Sequence, residues 1–528
     1  MTGTGVNVQG KRLMILDSTL REGEQTTGVT FSDTEKLSLA KVLLDEVGVD
    51  RIEVASARVS EGELKGARRI LSWAAERGYP ERVEILGFVD GRISLEWIRN
   101  AGGKVVNLLC KGSLKHVKEQ LRKSPEEHLS DITRVIENAS EMGIAVNVYL
   151  EDWSSGMRNS PDYVHQMVRS LKTLPVRRIM LPDTLGILDP DETFDFCREM
   201  ITAYPDVAFD FHAHNDYDLA IANVFHAIKA GITCVHTTIN GLGERAGNAP
   251  LSSVIATIRD HLKMKSSVNE AKLNKVSKLV ETFSGIRIPT NKPLIGEYVF
   301  TQCSGIHADG DNKNNLYYNE LLPERFGRIR QYALGKTSGK ANIKKNLEEL
   351  GIHLDAESLK MVTDKIIQLA DHKETVTMEE LPYIVADVLE NDFIEQNIRI
   401  INYSVSHAMG LRPVAMVSLE ISGKEYEEFS DGDGQYDAFV KALRKIYKSL
   451  RKPFPKLIDY MVRIPPGGKT DALVETVITW KNDREFKTKG LDPDQTAAAI
   501  KATIRMLNII ENEIKPGYLN KLIGRVHS

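Results

Sequence analysis

Cysteine is scarce. Four residues, Cys110, Cys197, Cys234 and Cys303, are spread along 528 positions with no C-x-x-C pair. That excludes a disulfide-stapled secreted scaffold and a zinc ribbon, and it fits a reducing, cytoplasmic setting. Excess charge of either sign is lacking as well. Lys plus Arg number 69 and Asp plus Glu 73, a net charge of -4, so no global basic field would gather nucleic acid or anionic lipid. No nucleic-acid partner is expected. A membrane helix needs about 18 consecutive apolar residues and a signal peptide an apolar centre of about 7 to 15. The sequence has no run approaching the first, and Met1 to Arg12 lacks the second, so neither a membrane span nor a leader is expected. Also missing are a G-x-S-x-G elbow, a Walker A loop and a G-x-G-x-x-G turn after the first strand, which removes support for serine hydrolases, nucleotidases and dinucleotide-binding sheets.

What is present is a regular alternation. At about one domain per 150 residues, the length suggests three or four units. Short β-branched runs alternate with segments of helical period, the pattern of a parallel sheet with helices outside it. The runs are Arg12 to Thr19, Arg51 to Ser56, Arg82 to Val89, Val105 to Cys110, Ala145 to Asp152, Arg177 to Thr184, Ala208 to Asn215 and Cys234 to Gly241. Eight βα repeats in about 250 residues is the arithmetic of a (β/α)8 TIM barrel, expected here over residues 12–265. Residues 266–395 read as a helical connector with a Gly/Asn-rich loop at Ser304 to Asn319. Residues 396–528 read as an α+β module, strand, strand, helix, then the same again, with a regulatory or dimerising role.

In such a barrel the active site lies where strands end. The ends carry Asp17 to Gln25, Tyr149 to Asp152, Pro182 to Thr184, His212 to Asp216 and Asn240 to Asn248. His212 and His214, two apart on a strand, project to one face and can share an ion. Barrel closure adds Glu22 and Asn248 as neighbours. Two imidazoles, a carboxylate and an amide oxygen make an open site for a divalent Mn, Zn, Mg or Co ion. Arg21 is either a salt-bridged rim residue or a cation that stabilises a developing alkoxide. Glu151 and Asp152 cap the next turn or act as orienter or base. Thr184 binds a substrate carboxylate or caps a helix. The run from Asp309 fails as a calcium loop, because Lys313 and Asn314 stand where an oxygen ligand and Gly are needed. The Gly/Asn-rich stretch Ser304 to Asn319 reads instead as a lid supplying His307 and Tyr317. The cations Arg325, Arg328, Arg330, Lys336 and Lys340 either bind phosphates or form a solvated face.

Four motifs in order carry a resemblance: Leu20-Arg21-Glu22-Gly23-Glu24-Gln25, His212-Ala213-His214-Asn215-Asp216, Asn240-Gly241-x-Gly243-Glu244-Arg245-x-Gly247-Asn248 and Gly335-Lys336-x-Ser338-Gly339-Lys340. Over about residues 12 to 515 the chain resembles the metal-dependent carbon-carbon bond-forming enzymes that include 2-isopropylmalate, homocitrate and citramalate synthases. The resemblance implies condensation of acetyl-CoA with a 2-oxo acid, followed by thioester hydrolysis. It also implies metal ligation by Glu22, His212, His214 and Asn248, with Arg21 on the oxyanion and Glu151, His307 and Tyr317 as candidates for proton transfer. Phe88 and Asn315 are expected to meet the coenzyme. Leu86, Leu109 and Tyr149 present an apolar, bulky pocket beside Thr184, which favours pyruvate and (R)-citramalate over 2-oxoisovalerate and 2-isopropylmalate, the alternative. One position departs from the pattern: Glu22 stands where isopropylmalate and citramalate enzymes usually carry Asp. The C-terminal repeat, including Pro465 to Ala472, resembles the amino-acid-sensing dimer module of this family. It implies a homodimer and an isoleucine effector held near Tyr436, Asp437, Pro493 and Gln495.

Overall fold

A computed structural model describes residues 8–313, 316–349, 352–371, 376, 378, 381–389, 398–463, 474–482 and 485–513. It divides into two compact units, one of residues 1–300 with 318–330 and the other of residues 301–317 with 331–528.

The first unit is a closed barrel of eight parallel strands: β1 (Met14–Asp17), β2 (Arg51–Ser56), β3 (Val83–Phe88), β4 (Val105–Lys111), β5 (Ala145–Glu151), β6 (Val176–Asp183), β7 (Phe209–Ala213) and β8 (Cys234–Thr237). Each pairs with the next, and β8 closes on β1 in the register Met14↔Cys234 to Asp17↔Thr237. The strands are covered on both faces, which is why they read as apolar runs rather than as a strict alternation. On β2, Ile52 and Val54 join the core between barrel and helices. Arg51 and Glu53 turn the other way. Arg51 reaches Asp210 on β7, a strand that is not a neighbour of β2, so this pair crosses the barrel interior. Helices outside start where the sequence provides caps. Ser32 with Glu35, Ser124 with Glu127 and Asp189 with Glu192 form reciprocal capping boxes ahead of the helices Asp33–Lys41, Pro125–Glu141 and Pro190–Ala203.

The second unit contains a helical part and two α+β halves. Its helices Lys340–Glu349, Ala356–Asp371 and Leu381–Val388 bury Ile343, Leu347, Val362, Ile366 and Leu381 together. The segment expected as a Gly/Asn-rich loop instead forms the helix Gly305–Asn312. Tertiary packing overrides its poor helix composition: Ala308 is fully buried, and Gly305 lies so close to Gly339 that a Cβ on it would stand 2.6 Å from the Gly339 Cα.

Each C-terminal half has three antiparallel strands and a helix, not the two strands that the sequence suggests. The first is β9 (Ile398–Ser406), β10 (Val414–Ile421) and β11 (Lys424–Asp431) with the helix Gln435–Ser449. The second is β12 (Lys456–Arg463), β13 (Val474–Lys481) and β14 (Glu485–Asp492) with the helix Gln495–Glu513. In β11 (KEYEEFSD) the side chains are mostly exposed, and Lys and Glu are depleted in strands generally, so pairing with β10 makes this segment a strand where its composition does not. The helices share one core, with Phe439, Leu443, Trp480, Met506 and Leu507 buried in it.

Candidate active site

The C-terminal ends of the barrel strands surround a cavity of ≈ 120 Å³. β1 ends at Asp17, and the chain then turns through Arg21 into the short helix Glu22–Gln25. Asp17 accepts the Thr19 amide at 3.0 Å, and burial pushes its carboxyl up to about 7 against that bond. The Thr19 hydroxyl in turn accepts the Ile239 amide at 2.8 Å, tying this turn to the loop after β8. Arg21 and Glu22 are thereby held side by side, with their side chains in contact.

Opposite them stands β7. The rings of His212 and His214 lie 5.1 Å apart, as strand spacing requires. Ligand atoms of Glu22, His212 and His214 all fall within 4.8 Å of one another. Both imidazoles are held neutral: burial lowers the pKa of His212 well below its ordinary value, helped by His214, His236 and Arg21, and burial likewise lowers that of His214. Neutral imidazole is the ligand form. Asn248 forms a bridge with His214, and its Oδ1 is buried without a protein partner, as are Nδ1 of His212 and of His214. Buried polar atoms are rarely left so, and this donor set fits a divalent cation. Backbone shape makes the approach possible. Gly243 has φ 154° and a Cβ there would meet the Asn248 Nδ2 at 2.1 Å; at Gly247, φ +81°, a Cβ would meet the Gly241 carbonyl at 1.9 Å.

Arg21 is oriented from below. Its Nε donates to Glu53 Oε2 at 2.6 Å. Glu53 also accepts from Ser18 Oγ at 2.7 Å and Asn107 Nδ2 at 2.7 Å. Burial alone would favour its neutral form, but the Arg21 charge and these bonds outweigh it and keep Glu53 below its ordinary value. Around the remaining wall, Leu86 and Tyr149 pack with Leu16 and Met180, and Leu109 packs against them. The Thr184 hydroxyl accepts the Asp152 amide at 2.8 Å, and Lys111 pairs with Glu151.

A family model described as HMGL-like matches residues 12–280, the span of the whole barrel. The chain belongs to the HMGL-like family. Two further models match beyond the HMGL-like barrel, a homocitrate synthase post-HMGL domain-like region at residues 294–374 and a LeuA allosteric (dimerisation) domain at residues 375–511. Among similar proteins, a putative (R)-citramalate synthase CimA of Methanopyrus kandleri is 34% identical over 87% of this chain and 88% of its own. A probable 2-isopropylmalate synthase of the same organism is 34% identical over 94% of this chain and 98% of its own. The (R)-citramalate synthase CimA of Methanocaldococcus jannaschii is 31% identical over 94% and 99%.

Of the residues singled out from the sequence, Arg21, Glu22, Leu86, Leu109, Tyr149, Glu151, Thr184, His212 and His214 line this cavity at the strand ends of the HMGL-like barrel. Phe88 ends β3, opposite Leu109 in the β3–β4 register. Asn315 lies outside the described residues. His307 and Tyr317 belong to the second unit, where their rings pack with centroids 4.2 Å apart, tilted by 35°. In the C-terminal halves Tyr436 bonds the Thr503 hydroxyl at 2.6 Å and its ring packs 5.4 Å from that of Tyr460, which also hydrogen-bonds Gln495. Asp437 pairs with Lys441 at 2.7 Å, and Pro493 is exposed.

Sequence reasoning missed Glu53, Lys111 and His236, and it gave Arg245, within its third motif, no role. Arg245 donates to the Thr184 carbonyl at 2.8 Å and pairs with Asp216 at 2.7 Å, joining the ends of β6 and β7. For Glu53, Lys111 and His236 the available signal was a charge or imidazole within an otherwise apolar strand, as in Arg51-Ile52-Glu53-Val54.

Proposed function

We propose that this chain condenses acetyl-CoA with pyruvate and hydrolyses the resulting thioester, releasing coenzyme A and (R)-citramalate, a step towards isoleucine. The observation that carries the reading is the apolar wall of Leu86, Leu109 and Tyr149, backed by the buried Leu16 and Met180, lining a cavity of only ≈ 120 Å³ beside Glu22, His212 and His214. A methyl group fits such a wall; a second carboxylate would be buried there without a partner, at several kcal/mol.

A divalent ion held by Glu22, His212, His214 and Asn248 would supply Lewis-acid polarisation of the ketone. Arg21, anchored by Glu53, offers positive charge to the oxygen that becomes alkoxide. Thr184 keeps a hydroxyl proton for the substrate carboxylate. The acetyl methyl must lose a proton, and Glu151, His307 and Tyr317 are the groups we assign to proton transfer. The resulting carbon forms the new bond to the keto carbon and the alkoxide takes up a proton. Water then cleaves the thioester, with coenzyme A as leaving group. Phe88 and Asn315 are assigned to the coenzyme.

The reading extends to a homodimer that binds isoleucine near Tyr436, Asp437, Pro493 and Gln495, supported by the match to a LeuA allosteric (dimerisation) domain. Its setting would be the cytoplasm, in keeping with four free thiols. A second reading, 2-isopropylmalate synthase, is favoured by the relative of that name. Coenzyme A release from acetyl-CoA, measured with pyruvate, 2-oxoisovalerate and 2-oxoglutarate in turn, decides between them. Pyruvate should lead by at least about tenfold, since each extra methylene in an apolar pocket is worth roughly 10–200-fold. Preference for 2-oxoisovalerate would replace this reading with the second, and no turnover with any oxo acid would leave a binding protein.

A further inference from the structure

We propose that the buried chain Tyr149–His236–Asp210 sets oxo-acid specificity by tethering the Tyr149 ring, which makes His236 a positioning residue for the condensation. The proposal rests on the reading that the methyl end of the oxo acid lies against Tyr149.

The direction of each bond follows from the end of the chain. Asp210 is paired with Arg51 through Oδ2 and with Arg178 through Oδ1 at 3.2 Å. Two guanidinium groups make it a carboxylate, and a carboxylate only accepts. His236 Nε2, 3.3 Å from Asp210 Oδ2, must therefore carry the proton. In the tautomer that puts the proton on Nε2, Nδ1 is an acceptor, and the Tyr149 hydroxyl, 3.0 Å away, donates to it. Tyr149 thus spends its one polar proton on the barrel interior and turns its ring, not its hydroxyl, towards the cavity.

The tether also fixes where the ring stands. It is held at the hydroxyl by His236 and lies edge-on to His212, with centroids 6.1 Å apart at 86°. Leu16, Leu86 and Met180 close around it. His236 itself is 1% exposed, so no solvent can substitute for it. An oxo acid longer by one methylene must push the ring and break the bond to His236. A free ring could swing aside; a tethered one cannot, and pre-organisation of this kind acts on binding before it acts on chemistry.

The test compares full-length, metal-loaded wild type with His236→Phe, His236→Gln, Tyr149→Phe and the double variant H236F/Y149F, using pyruvate and 2-oxobutyrate. In H236F the ratio of kcat/KM for 2-oxobutyrate to that for pyruvate should rise about tenfold, with most of the change a fall in the KM for 2-oxobutyrate. H236Q, whose amide can accept from the phenol and donate to Asp210, should restore the wild-type ratio. Y149F should match H236F, and the double variant should add nothing further, because both changes cut one link. An unchanged ratio in H236F, or equal losses of kcat on both substrates, would overturn the tether, as would effects of H236F and Y149F that multiply. If H236F does not fold, H236Q and Y149F carry the comparison, and failure of Y149F to change the ratio is then sufficient to reject it. A wild type that ignores pyruvate defeats the underlying reading instead, a result distinct from every variant outcome.

Discussion

The Arg21 guanidinium meets the Glu53 carboxylate at 2.6 Å, and Glu53 is fully shielded from solvent. The pair ties the turn after β1 to β2 and leaves the far side of Arg21 against Glu22. Glu53 therefore controls both the direction of the Arg21 cation and, through it, the position of the Glu22 carboxylate.

Glu53→Gln should show this in two measurements. Breaking a buried ion pair on one side costs roughly 3–5 kcal/mol, to be read from urea unfolding. Manganese titration should show affinity weakened about 10- to 100-fold, the usual effect of removing an outer partner of a metal ligand. Wild-type values in both would mean that Arg21 is positioned by something else.

Asp17 gives a pH signature. Its carboxyl is raised from 3.8 to about 7 by burial, so between those values the folded state holds a proton that the unfolded state has released. Stability from this group is present at low pH and is lost as pH rises through about 7. Asp17→Asn stays neutral throughout. From pH 5 to 8, wild type should lose about 2–3 kcal/mol relative to the variant in urea unfolding. Parallel curves would contradict the buried neutral acid.

Gly310 tests the packed pair His307 and Tyr317. Alanine would add about 1 kcal/mol of helix propensity, but its Cβ would stand 2.4 Å from the Tyr317 ring, so the ring must move. If Tyr317 takes part in proton transfer, Gly310→Ala should lower kcat about 100-fold while circular dichroism is unchanged. An unaltered kcat would remove Tyr317 from the mechanism.

Much of the barrel was legible because doubly covered parallel strands are apolar throughout: Arg51 to Ser56 agrees with β2 at both ends. The cluster of Glu22, His212 and His214 was legible because strand spacing and barrel closure suffice to bring such residues together. Glu53 and His236 were not. Their importance lies in partners 32 and 87 positions away, Arg21 and Tyr149, and no local pattern marks such a bond. The strand β11 was hidden for another reason, since its charged face is solvated and only pairing with β10 defines it.

Condensation as proposed requires a divalent ion at the barrel mouth. Equilibrium dialysis against manganese, with bound metal counted and pyruvate turnover assayed on the same samples, tests it in wild type and in the triple variant E22A/H212A/H214A. The account predicts a single ion and turnover in wild type, and neither in the variant. Retention of the ion by the variant, or turnover without it, would contradict the account.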